Sequence, residues 1–75
     1  MDIEKFIIQL EDVFEKDASS IIASDTFRDY DEWDSLSVLS LVAMLEDEYG
    51  VIIPRDKFDA IKTVQGLFDY VKNNQ

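Results

Sequence analysis

Apolar residues recur at spacings of three and four at both ends of this chain. Ile3, Phe6, Ile7, Leu10, Val13 and Phe14 fall on one helical face, which predicts a helix from Asp2 to about Lys16. Glu4, Lys5, Gln9, Glu11, Asp12 and Glu15 occupy its other faces, and Ile8 falls off the stripe, exposed or touching the following loop. Val64, Leu67, Phe68 and Val71 repeat the spacing and predict a last helix, Val64 to Asn73, with Thr63 as its N-cap. Between them, Ser35 to Tyr49 is apolar nearly all round: Leu36, Val38, Leu39, Leu41, Val42, Ala43, Met44 and Leu45. Such a helix is central to a bundle or presents apolar surface to a partner. Gly50 stands where a left-handed C-terminal cap is expected.

The connections are unequal. Asp17 to Asp34 reads as a long loop, rich in turn formers and acids. A loop of that length in a small domain tends to be functional and needs anchors. Ile21, Ile22, Phe27, Tyr30 and Trp33 are the candidates. Val51-Ile52-Ile53-Pro54 reads as a buried connector, because proline pushes Ile53 towards extended backbone and a strand here would lack a partner. Arg55 to Ile61 can hold a helix of one or two turns. The pattern predicts an all-α fold of three main helices and one short one, in a single domain over residues 1–75.

Composition narrows what such a bundle can do. The chain has no Cys and no His, so neither a disulfide nor a zinc site can supplement its core. Seventeen Asp and Glu face seven Lys and Arg, a formal net charge of -10. That surface repels nucleic acid and anionic membranes and favours a monomer with basic partners. No stretch approaches the roughly 20 apolar residues of a membrane span. Met1-Asp2-Ile3-Glu4 lacks the basic flank of a signal peptide, so a cytoplasmic location is expected.

Chemistry concentrates at Asp34-Ser35-Leu36, where the acidic loop meets the apolar helix. Taken alone, Ser35 reads as an N-cap whose hydroxyl accepts a bond from the second or third helical amide. It does not read as a catalytic nucleophile, since no His exists to activate it and no Lys is near it in sequence. A calcium loop from Asp29 fails too, with Asp34 where glycine and Ser40 where glutamate are required. A serine at such a junction can instead be a place of attachment.

In its context the tripeptide resembles the prosthetic-group site of acyl carrier proteins. Leu41, Leu45, Glu46, Glu48 and Tyr49 fall where that family's second helix has leucines, acids and a closing aromatic. Ile53-Pro54 resembles its isoleucine-proline before the third helix, and Thr63-Val64 the start of its fourth. The resemblance implies a four-helix bundle with a long first loop and a short third helix. It implies 4'-phosphopantetheine on Ser35, flanked by Asp34 and Leu36, with Asp34 helping to hold the divalent ion used by a phosphopantetheinyl transferase. It implies a partner face of Leu36, Leu39, Ser40, Ala43, Met44, Glu46 and Asp47 for acyl-transferring, condensing or ligase enzymes with basic patches. Within that face Met44 is expected to be exposed, since Ser37, Ser40 and Asp47 share its side of the helix, while Leu39 is divided between core and surface. The chain itself would be a carrier and not an enzyme.

Two departures bear on the pathway. Glu32-Trp33 stands where fatty-acid-synthesis carriers have Gly-Ala, and Ser37 and Ser40 stand where they tend to have acids. These features resemble stand-alone carriers of specialised pathways, such as polyketide-like or surface-polysaccharide assembly. An aminoacyl carrier of the D-alanyl type and an unmodified acidic docking module are the alternatives.

Overall fold

Four α-helices and one 3-10 turn build the chain in a computed structural model that describes residues 2–75. They are α1 (Ile3–Val13), the turn Phe27–Asp29, α2 (Ser35–Tyr49), α3 (Arg55–Ala60) and α4 (Val64–Asn74). No strand occurs among the described residues, and no helix there is long and apolar enough to cross a membrane. The all-helical reading therefore holds, with α3 as the short helix.

The helical stripes meet in one cluster. Phe6 and Leu10 of α1, Phe14 just after it, Leu41 and Leu45 of α2, Phe58 of α3 and Val64, Leu67, Phe68 and Val71 of α4 are all buried. Phe6 sits edge-on to Phe68 with ring centroids 5.5 Å apart, a favoured aromatic geometry that ties α1 to α4. The stripe on α2 is narrower than its composition suggests. Ser37, Leu41 and Leu45, one helical turn apart, face inwards, while Leu36 and Leu39 are 75% and 67% exposed. The apolar surround of α2 thus divides between a stripe in the core and side chains left open to solvent.

Helix ends fix the geometry between these stripes. The first helix stops at Val13, short of the expected Lys16, because the chain turns through Glu15 at φ 55°. There the Lys16 amide donates back to the Glu11 carbonyl at 2.8 Å, closing the last turn. At the end of α2, Gly50 adopts φ 67° as expected. Its amide donates to the Glu46 carbonyl and that of Val51 to Leu45, satisfying carbonyls the helix leaves open. Thr63 caps α4, its hydroxyl accepting from the Gly66 amide at 3.0 Å.

The long loop is tied down at four of its five expected anchors. Ile21 and Phe27 are buried, and Tyr30 and Trp33 pack against the core. Ile22 does not serve, being 58% exposed. Backbone does the remaining work. The carbonyls of Asp25 and Ala23 accept from the Val64 and Gln65 amides, two first-turn donors of α4 without intrahelical acceptors. Glu11, expected on a solvated face, is buried instead, and its carboxylate accepts from the Ile21 amide at 3.1 Å. The expected buried connector 51–54 is only partly so. Val51 is buried, whereas Ile52 is 69% exposed, because consecutive side chains of an extended segment point opposite ways.

Tyr30 carries a pH dependence. Its hydroxyl donates to Asp25 Oδ2 at 2.6 Å, and Lys16 Nζ lies 4.3 Å from its ring centre. Burial first, then the Asp25 carboxylate, raises the phenol well above its ordinary value. The folded state then keeps a proton that the unfolded chain releases near pH 10, so stability is full below that pH and falls above it. Urea titrations between pH 8 and 11 should show that fall, and Tyr30→Phe should reduce it, leaving the part due to Tyr49, whose burial also raises its phenol, while costing about 1 kcal/mol at neutral pH.

Candidate functional site

The corner between the loop and α2 is organised by residues on both sides of Ser35. Asp34 is the N-cap: its Oδ1 accepts from the Ser37 amide at 2.8 Å. Ser37 replies, its Oγ accepting from the Asp34 amide at 2.9 Å and donating to the Asp34 carbonyl at 3.0 Å. This reciprocal capping box displaces the expectation that Ser35 caps the helix. Ser35 is instead the first helical residue, exposed, and its hydroxyl makes no hydrogen bond to another described residue.

The same geometry shows what the corner can hold. The first intrahelical bond runs from the Val38 amide to the Asp34 carbonyl, so the Ser35 and Leu36 amides precede the hydrogen-bonded ladder. Two open donors and the positive end of a fifteen-residue helix favour an anion on the Ser35 hydroxyl. A phosphodiester fits there without disturbing a protein contact. Asp34 keeps its second carboxylate oxygen free of protein hydrogen bonds, but no group of three possible metal ligands gathers among the described residues.

Trp33 holds the corner in place. Its ring lies 5.3 Å from Phe27, 6.0 Å from Phe14 and 6.2 Å from Phe58, stacked at 21° on the last. Glu32 beside it pairs with Lys16 of the segment after α1 at 3.0 Å, and that contact lowers its pKa. Loop, α1 and α3 are thereby clamped to the residues just before Asp34.

The expected partner face maps onto one side of α2 with one exception. Leu36, Ser40, Ala43 and Asp47 lie at helical spacing and are exposed, with Leu39 and Glu46 beside them. Leu39 is surface, which resolves its divided expectation. Met44, expected to be exposed, is half-buried and packs against the core. The reason lies in Ser37, whose polarity had marked that side as wet; its hydroxyl is spent on the cap and the residue is buried.

Between α2 and α3 a cleft of about 490 Å³ opens beside Ser35. Trp33, Val38, Leu39, Val42 and Phe58 give it apolar walls, and Arg28 also lines it. Neither Arg28 nor the clamping role of Trp33 was marked as part of the site by helical spacing, because both lie in the loop. The cap role of Ser37 was legible in principle from Asp34-x-x-Ser37 at the start of an apolar run.

With that geometry in view, comparison with known proteins defines the class. Residues 5–71 match the family model described as phosphopantetheine attachment site. A protein of Lactobacillus acidophilus called acyl carrier protein is 38% identical over 64 residues, covering 85% of this chain and 80% of that one. The solution structure of a holo acyl carrier protein from Geobacter metallireducens superposes with a TM-score of 0.81 at 26% identity, over 96% of this chain and 83% of that one. The chain belongs to the acyl carrier protein family, whose members are carriers bearing covalent 4'-phosphopantetheine.

The division of labour at the corner can be measured. Ser37→Ala is expected to cost about 1 kcal/mol by removing half of the capping box. Ser35→Ala, which removes no protein hydrogen bond, should leave the unfolding free energy from urea titration within about 0.5 kcal/mol of the parent.

Proposed function

We propose that Ser35 is the residue that carries the 4'-phosphopantetheine arm, and that the chain delivers acyl groups held on it as thioesters to partner enzymes. The observation that carries this reading is the free, exposed hydroxyl at the first position of α2, with two open backbone amides behind it and the cap supplied by other residues. When bound, the arm supplies the thiol that a cysteine-free chain lacks. The chain's own share is to present the hydroxyl, to receive the phosphate charge on the Ser35 and Leu36 amides, and to keep the corner rigid. Asp34 Oδ2 would add one ligand to the divalent ion of the transferase reaction, the remaining ligands coming from phosphate, water and the enzyme.

Leu36, Leu39, Ser40, Ala43, Glu46 and Asp47 form the proposed docking face, with Met44 contributing only its exposed edge. Exposed Leu36 and Leu39 supply apolar contact, and Glu46 and Asp47 steer encounter with basic patches. The partners in this reading are a phosphopantetheinyl transferase and acyl-transferring, condensing or ligase enzymes. The chain acts as a cytoplasmic monomer of one domain over residues 1–75, is not itself an enzyme, and serves a specialised pathway, the reading that Glu32-Trp33, Ser37 and Ser40 support.

Intact mass after incubation with coenzyme A, magnesium and a broad-specificity transferase tests the assignment. A gain of one phosphopantetheine in the parent and none in a folded Ser35→Ala variant is expected. A folded parent that gains nothing, or a Ser35→Ala variant that still gains the group, contradicts it.

A further inference from the structure

Arg28 is set in an unusual place for a cation. It belongs to the 3-10 turn of the long loop, and it lines the cleft that Ser35 also lines. Its guanidinium carbon lies 4.9 Å from the ring centre of Phe58, 5.3 Å from Trp33 and 5.4 Å from Phe27. Arginine stacks on aromatic faces in this way, and the contacts fix its plane. Nε donates to the Ile61 carbonyl at 3.1 Å, and Nη2 donates to the Phe58 carbonyl.

These bonds clasp the end of α3, and that role accounts for two of the three guanidinium nitrogens. Nη1 makes no hydrogen bond to another described residue. No carboxylate neutralises the group either. The ion pairs among the described residues are Lys16 with Glu32 and Arg55 with Asp59, although the chain holds seventeen acids. Arg55 and Asp59 line the same cleft and offset each other, so Arg28 leaves its lining with an excess positive charge inside a protein of net charge -10. A cleft that receives only alkyl chains gains nothing from a cation in its wall, because apolar cargo there removes water from the charge without replacing it.

Resting on the reading of Ser35 as the attachment residue, we infer that the cleft receives an acyl group bearing a free carboxylate, and that Arg28 recognises it. The carboxylate pairs with the guanidinium through its unused nitrogen while the carbon chain lies against Val38, Val42 and Phe58. Arg28 is thus a specificity residue as well as a clasp on α3.

The test leaves Arg28 in place, since an Arg28 variant also loses the clasp. Apo protein is loaded by a broad-specificity transferase with coenzyme A, butyryl-coenzyme A or succinyl-coenzyme A, and intact mass verifies each product. The side-chain Nε–Hε signal of Arg28 is then compared across the three forms by proton–nitrogen correlation spectra. The chain has only two arginines, so Arg55→Lys assigns the signal. A shift in the succinyl form, absent from the butyryl and unacylated forms and diminished by high salt, is the expected result. Equal spectra for succinyl and butyryl cargo overturn the inference and leave Arg28 as a clasp alone. A shift already complete in the unacylated form assigns the guanidinium to the phosphodiester and also overturns it. Failure to load any of the three overturns the attachment reading itself, a distinct outcome visible in the mass.

Discussion

The capping of α2 is the constraint on which the rest of the site depends. A helix that begins at a surface corner must satisfy its first amides, and a serine there is ordinarily drawn into that task. Here Asp34 and Ser37 close the first turn between themselves. The cap is therefore indifferent to what happens at Ser35. A residue placed between two capping partners, at the first helical position, can be chemically altered without unravelling the helix. The amides that the box leaves open are those an anion on the Ser35 hydroxyl would find.

The corner can do this only because the long loop is not loose. Trp33 sits among Phe14, Phe27 and Phe58, Glu32 holds Lys16, and the loop carbonyls at Ala23 and Asp25 take the first amides of α4. Together these ties reach the segment just after α1, α3 and α4, so the start of α2 is fixed from several directions. Acyl carriers for fatty acid synthesis are expected to have small residues where Glu32-Trp33 stands. In this chain the bulky indole lines the cleft and stacks on Phe58, and the Arg28 guanidinium lies against both rings. The same substitution that marks the departure in sequence thus shapes the cleft in structure.

Much of the fold was legible because periodicity reports burial directly. The stripes of α1 and α4 are the core faces, and Gly50 and Thr63 mark helix ends for conformational and hydrogen-bonding reasons that act locally. What was hidden depends on contacts distant in sequence. Glu11 is buried because an amide ten residues away needs its carboxylate, and no helical pattern records that. Ser37 misled in the opposite sense: its polarity suggested a wet face, while its hydroxyl serves the cap, and Met44 is drawn inwards beside it. Arg28 lies in a loop without period, and its aromatic surroundings arise only when the loop folds over α3.

The exposed apolar side chains of α2 and the acids after them lie on the face proposed above for docking. All of this geometry is arranged around a single oxygen. Three serines, Ser35, Ser37 and Ser40, lie within the first two turns of α2, and only the first combines exposure with open amides at the helix start. Fragmentation mass spectrometry of the peptide spanning Asp29 to Arg55, taken from transferase-treated protein, tests that most directly. The phosphopantetheine should fall on Ser35, with Ser37 and Ser40 unmodified; a group found on Ser37 or Ser40 would contradict the division between capping and carrying.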